Sequence, residues 1–257
     1  MTRRMFVTLW LLSLFGARPA TAQSTGIPLL SGGENEFALT VQAGLAGLTV
    51  HDDRHQVLAI VTRPTFGLGR FADVYALLGM ARQNVDYGDP QKSAFDGKSS
   101  LLYGAGLALQ WPWRGPGRTL LFGTAQVAFF RPGGTSYENL DSQNSGLRRI
   151  RNTTYEWMQI QASFNLAYPT ANARFFVGLE LIVRNIRTVT TVKLQQDQSI
   201  VPVNRISLPY LKQTQLAPTV GFNVRLPHRH QFGLQLRGTG PGDFGLFLGI
   251  SQTGALD

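Results

Sequence analysis

Three short clusters hold the side chains from which chemistry could be built. His51-Asp52-Asp53-Arg54-His55 places two imidazoles and two carboxylates within one five-residue stretch. A histidine serves as a general base near neutral pH, and an aspartate can orient it or hold a water. The same residue types are ordinary in a polar turn. Catalysis needs a second set of groups converging on the first, and no other Asp/His pair stands elsewhere in the chain. His51, Asp52, Asp53 and His55 are the catalytic candidates, set against a plain hairpin loop. His228-Arg229-His230 offers two imidazoles without a third ligand. Zinc takes three or four protein ligands, so a solvated turn is expected there and no metal. Leu147-Arg148-Arg149-Ile150-Arg151 gathers three guanidinium forks. That shape suits phosphate oxygens, which makes Arg148, Arg149 and Arg151 candidates for lipid-phosphate contact, against a solvated loop base. No nucleophile-elbow, zinc-protease or phosphate-loop pattern is present. Cysteine is absent, so neither a disulfide nor a thiolate metal site is possible, and no cofactor is expected.

The elements that must position these groups are strands. Between Thr153 and Arg184 the residues alternate with period two. Met158, Ile160, Ala162, Phe164, Leu166 and Tyr168 fall on one face, and Trp157, Gln159, Gln161, Ser163 and Asn165 on the other. A Pro-Thr-Ala-Asn-Ala turn follows, then Phe175, Val177, Leu179, Leu181 and Val183 against Phe176, Gly178, Glu180 and Arg184. This predicts a long hairpin with one apolar and one mostly polar face. The same pattern predicts ten strands, near 37–50, 56–68, 73–85, 100–111, 118–130, 153–168, 173–192, 213–226, 231–237 and 243–251. In the third, neither face is clearly the polar one. Pro64 and Pro218 fall inside predicted strands, where a missing N–H interrupts the ladder, so each must mark a bulge, a rim or a boundary. The connections after the second, fourth, sixth and eighth strands are short, and those after the third, fifth and seventh are long. Those after the first and ninth are short as well.

Residues 1–22 have a basic start at Arg3 and Arg4, an apolar stretch over 5–15 and an Ala20-Thr21-Ala22 cleavage site. That is the layout of an export signal, and the apolar stretch is about half of the ~20 residues a spanning helix needs. Residues 23–36 are polar and Gly-rich and are expected to be flexible; 37–257 form the domain. The formal net charge is +9, or about +6 without the leader. The basic residues are scattered and no nucleic-acid motif accompanies them, so nucleic acid is not an expected partner. A basic outer surface suits anionic lipid head groups instead.

Short turns at one end, longer loops at the other and strands of ~10–14 residues with an apolar face are the layout of a transmembrane barrel. Trp111, Tyr168 and Phe175 fall near the short-turn end, and Tyr155 and Trp157 near the other, as aromatic girdles would. At the last strand, Asp243-Phe244-Gly245-Leu246-Phe247-Leu248-Gly249-Ile250 resembles the closing strand of bacterial outer-membrane β-barrel proteins. With the leader and the strand layout, the resemblance to small porin-like barrels of the OmpA type covers nearly the whole chain. It departs from the pattern in ending on Ile250, where an aromatic is common, and in the seven residues that follow. The resemblance implies an all-β, closed, antiparallel up-and-down transmembrane barrel of about ten strands, with eight or twelve as the neighbouring even counts. It also implies placement in the outer membrane, a monomer, assembly by the barrel-assembly machinery, and contact with outer-membrane lipid and lipopolysaccharide. The His51–His55 cluster at a rim resembles the omptins, outer-membrane proteases that activate water with Asp and His, at one locus only.

If the apolar faces look outward, Arg63, Glu180, Arg184, Arg225 and Arg237 line the lumen with Gln42, Gln110, Gln159, Gln161, Asn165 and Gln235. Glu180 is then the scarce acid and should pair with an arginine. A ten-strand barrel is narrow, so a polar plug is favoured over an anion-preferring pore. The expected role is structural or surface-binding. The alternatives are a rim-active hydrolase, a narrow pore, and a soluble lipocalin-like barrel with its apolar face inside.

Overall fold

Alternation of this kind folds as strands because successive side chains on extended backbone point to opposite faces. In a computed structural model, which describes residues 36–50, 53–87, 93–112, 119–139, 148–196, 199–209, 211–240 and 243–255, every predicted strand is present. The leader, residues 23–35, His51 and Asp52 lie outside the described residues. The strands are β1 (Glu36–Val50), β2 (Asp53–Gly67), β3 (Ala72–Asp86), β4 (Phe95–Gly97), β5 (Ser100–Pro112), β6 (Leu120–Phe130) and β7 (Gly133–Asn139). They continue as β8 (Arg148–Pro169), β9 (Ala173–Gln196), β10 (Ser199–Ser207), β11 (Leu211–Arg225), β12 (His230–Gly240) and β13 (Asp243–Ala255).

Ten of them close a ring. Antiparallel ladders join β1 to β2, β2 to β3, β3 to β5, β5 to β6, β6 to β8 and β8 to β9. They go on through β9–β11, β11–β12 and β12–β13. The last strand returns to the first, from Glu36↔Ala255 to Ala46↔Gly245. The three remaining strands do not join the ring. β4 pairs with β3 and β7, β7 pairs with β8, and β10 pairs with β9. They extend the wall beyond the long-loop rim.

The two prolines are accommodated without bulges. Pro64 pairs with Leu39 on β1, while on the other side the β2–β3 ladder passes from Thr62↔Leu78 to Thr65↔Tyr75 in unchanged register. Pro64 therefore leaves a gap, not a shift. Pro218 sits one residue beyond Thr219↔Arg237, where the β11–β12 ladder stops. The β11–β12 turn carries two positive φ values, 58° at His228 and 60° at Arg229. This is the left-handed pair of a type I′ hairpin, whose twist matches the flanking strands.

The outward face is apolar. Leu101, Phe164 and Leu216 are 62%, 57% and 61% exposed, whereas the intervening residues are buried. On β8 the outward positions run from Met158 to Tyr168 without a charge. At ~3.4 Å per residue and a tilt of ~45°, that run rises roughly 25 Å, the height of the apolar band on a membrane barrel. Charges begin on the long-loop side of the band, with Arg54, Arg82, Glu156, Arg187 and Lys212. Polarity is thus the reverse of a lipocalin-like barrel, in which the apolar face would be inside. Trp111, Tyr168 and Phe175 are exposed at the short-turn edge of the band, and Tyr103 stacks on Phe129 (5.5 Å) toward the other edge. Tyr155 and Trp157 do not join that upper girdle. Both are buried and face the lumen.

Candidate functional site

The lumen is filled in two layers. The layer nearer the short turns is polar and hangs on Glu180, which β9 points inward and buries to 1% exposure. Its Oε2 accepts from Arg237 Nη1 at 2.6 Å, and its Oε1 accepts from Gln161 Nε2. Gln161 Oε1 in turn accepts from Gln126 Nε2 (2.9 Å) and Gln159 Nε2 (3.0 Å). Gln126 Oε1 accepts from the Tyr75 hydroxyl (3.0 Å), and the Arg63 guanidinium lies 4.9 Å from the Tyr75 ring centre. Arg184, fully buried, donates to Gln159 Oε1 (3.3 Å) and to Gln215 Oε1. Arg237 also lies over Phe247, 5.6 Å from its centre. A continuous chain of side chains therefore crosses from β2 to β12. Charges taken out of water are tolerable only with partners of this kind.

The second layer, under the long-loop rim, is largely apolar: Val57, Leu77, Val85, Leu102, Phe130 and Trp157 pack together inside the barrel. Trp157 stacks on Phe130 (5.3 Å). Gln83 bridges its polar atoms, accepting from Trp157 Nε1 (2.7 Å) and donating to His55 Nδ1 (2.8 Å). The His55 ring stands edge-on to Tyr155 (5.6 Å) and Trp157 (6.3 Å), and Phe95 from β4 closes over Tyr155 (5.3 Å).

No protein-family model matches the chain, and no characterised protein matches it in sequence. Similar folds occur among solved structures. The translocator domain of the autotransporter NalP from Neisseria meningitidis has a TM-score of 0.45 at 12% identity, covering 86% of this chain and 88% of that one. The transport unit of the autotransporter AIDA-I from Escherichia coli has a TM-score of 0.45 at 11% identity, covering 92% and 95%. An outer membrane channel from Pseudomonas putida F1 has 0.42 at 10%, covering 90% and 100%. Likenesses at this level assign no activity to the chain, and its own geometry has to do so.

That geometry distributes the residues singled out from sequence as follows. Arg63, Glu180, Arg184 and Arg237 all face the lumen, in contact with the one network. Arg225 stands apart, exposed at the short-turn mouth. Tyr75 and Gln126 in that network, and Gln83 in the aromatic layer, are lumen residues that alternation did not flag. Tyr75 and Gln83 lie on β3, both of whose faces are rich in apolar residues, so the pattern left its inner face undecided. Of the catalytic candidates, His51 and Asp52 are outside the described residues. Asp53 begins β2, and His55 is 5% exposed within the aromatic layer, its Nδ1 already occupied by Gln83. Among the described residues no group of three or more metal-ligating side chains occurs.

Above the rim, β8 and β9 continue as a two-stranded wall, Arg148↔Gln195 onward, widened by β7 and β10. Arg149 and Arg151 sit on its lumen side. Both donate to Glu138 Oε2 on β7, at 2.9 and 2.6 Å. Partial burial works to raise the Glu138 pKa, but the hydrogen bonds and charges of Arg151 and Arg149 outweigh it and hold the carboxyl below its usual range. Arg148 faces the other way. Residues directly opposite in a ladder share a face, so Lys193, Arg205 and Lys212 are outward as well.

Proposed function

We propose that the chain is an integral outer-membrane β-barrel with a structural and surface-binding role and a lumen closed to solutes. The observation that carries this reading is the pairing of an uncharged, exposed band ~25 Å high with an interior in which Arg184, Glu180 and Arg237 are buried in one network. An apolar exterior of that extent is stable only in lipid. A lumen bridged by side chains from β2 to β12, with a layer of aromatics above, supports the closed reading. The surface-binding part rests on outward basic residues from the edge of the band upward. Lys212 is level with Met158 at the band edge, and Arg205, Lys193 and Arg148 follow at rising heights above it; their guanidinium and ammonium groups suit the phosphate oxygens of lipopolysaccharide. Arg149 and Arg151 are committed to Glu138 and turn away from lipid.

Expression with the leader should deliver the protein to the outer-membrane fraction, with different apparent sizes on SDS gels before and after boiling. Recovery from the soluble periplasm would defeat the reading. In planar bilayers the protein should show no stepwise conductance; steady anion-selective steps would replace the plug with a pore. Added lipopolysaccharide should raise the temperature at which the folded gel band is lost. Combined Lys193→Gln, Arg205→Gln and Lys212→Gln changes should remove that rise, whereas Arg149→Gln and Arg151→Gln should leave it.

A further inference from the structure

At the short-turn end the lumen opens into a polar pocket of about 130 Å³. Strands β5, β9, β11 and β12 supply its walls through Gln110, Arg174, Asn223, Arg225 and Gln231, and the β8–β9 turn adds Thr170. The register explains why two guanidiniums meet here. Arg174 is directly opposite Asn223 in the β9–β11 ladder, and Arg225 lies two residues along on the same face. Diagonal neighbours of this kind are ~7–8 Å apart at the backbone, within reach of long side chains. Behind the arginines, on the same face of β9, buried Phe176 packs edge-on against Phe122 (5.6 Å), between the arginines and the network above. The pocket is thus a vestibule at the short-turn mouth.

Its charge is one-sided. No carboxylate lines it. Asp73, the buried acid nearer this end, belongs to β3 and is not among the lining residues. Among the described residues neither the Arg174 nor the Arg225 side chain makes an ion pair or hydrogen bond. Elsewhere the barrel does not leave its inward arginines in this state. Arg237 has Glu180, Arg184 has Gln159 and Gln215, and Arg149 and Arg151 have Glu138. Two like charges side by side, one half-buried, repel each other and lose solvation. A bound anion removes both penalties, and the Gln231 amide, with the one N–H of Gln110 that does not donate to the Arg70 carbonyl, adds neutral donors to the guanidinium forks.

We propose that this vestibule binds an oxyanion, a phosphate or carboxylate group presented from the short-turn side. It is independent of the lumen's being closed. It rests on the membrane reading only in that short turns facing the periplasm would make the ligand periplasmic. The test is calorimetric titration of the full chain, folded in zwitterionic detergent, with inorganic phosphate and with succinate, at an ionic strength fixed by chloride. One-site, saturable binding is expected for at least one, and the tighter of the two names the group recognised. Arg225→Gln, at an exposed position, should weaken it roughly tenfold, the order of one charge-assisted hydrogen bond. Adding Arg174→Gln should abolish it. Arg174→Lys, which keeps the charge, should retain part of it even if the Gln variant folds poorly. Heat-dependent gel mobility checks folding of each variant. Absence of saturable binding to either anion, or binding unchanged in Arg225→Gln and in the folded double variant, would overturn the proposal. So would equal heats from chloride alone.

Discussion

Replacing Glu180 by Gln keeps the volume and one acceptor for Gln161 but removes the only negative charge in contact with Arg237 among the described residues. Both side chains of that pair are withdrawn from water, at 0% and 1% exposure with 2.6 Å between the charged atoms. Arg237 Nε and Nη2 have no hydrogen-bond partner among the described residues. The substitution therefore leaves a buried guanidinium with the Phe247 face as its remaining favourable contact. Breaking one side of such a pair costs about 3–5 kcal/mol, which is roughly two to three and a half decades in the folding equilibrium. Reversible urea unfolding in detergent micelles or thin bilayers, followed by tryptophan fluorescence and gel mobility, would measure it. Arg237→Met should cost less than Glu180→Gln, since the carboxylate relieved of its arginine still keeps its bond from Gln161. The double variant should recover most of the loss, giving a coupling of about 2 kcal/mol or more in a double-mutant cycle. A Glu180→Gln protein within about 0.5 kcal/mol of the parent, or strictly additive single effects, would refute the idea that this pair organises the lumen.

The rim sheet should be pH-sensitive. Because Glu138 titrates lower in the folded protein than unfolded, its bonds to Arg149 and Arg151 contribute fully above the ordinary carboxylate range and are lost as pH falls through the depressed value. Protease cleavage near β7 should rise across that interval, and Glu138→Gln should flatten the dependence. Trp157→Ala removes a ring stacked on Phe130 and strands the Gln83 carbonyl, so a loss of about 3–5 kcal/mol is expected by denaturant unfolding. Arg229→Gly, at a φ of 60°, relieves a left-handed arginine and should raise stability by about 0.5–1 kcal/mol in the same assay.

The ring strands were legible because a wall that is apolar outside and polar inside writes itself as period two, and ten strand bodies follow directly from it. What was not legible has physical causes. β4, β7 and β10 stand beyond the apolar band, where neither face has to be greasy, and so carry no alternation. Gly133-Gly134 and the bulge between Pro202 and Asn204 further weaken their strand signal. Trp157 and Tyr155 have the composition of girdle residues, yet their parity on β8 puts them beside Gln159, on the inner face. His55 reads as a loop residue from its acidic neighbours, and only its pairing with Val85 beside Gln83 places it under the aromatic cap. Arg225 shares the parity of the lumen residues but lies too near its turn to reach the network, a matter of height along the strand that periodicity does not encode.

The ladder between β1 and β13 joins segments separated by nearly the whole length of the chain, whereas the hairpins around the rest of the ring join neighbours in sequence. Local hairpins can form early at small entropic cost, but this seam pays for closing the largest loop available. Until it zips, Val41 and Leu45 on one strand and Leu248 and Ile250 on the other flank unpaired backbone, the kind of edge that recruits other chains. Slowing of assembly by substitutions should therefore concentrate at this seam: a proline at Ala43, opposite Leu248, should delay the appearance of the folded band far more than a proline at a turn.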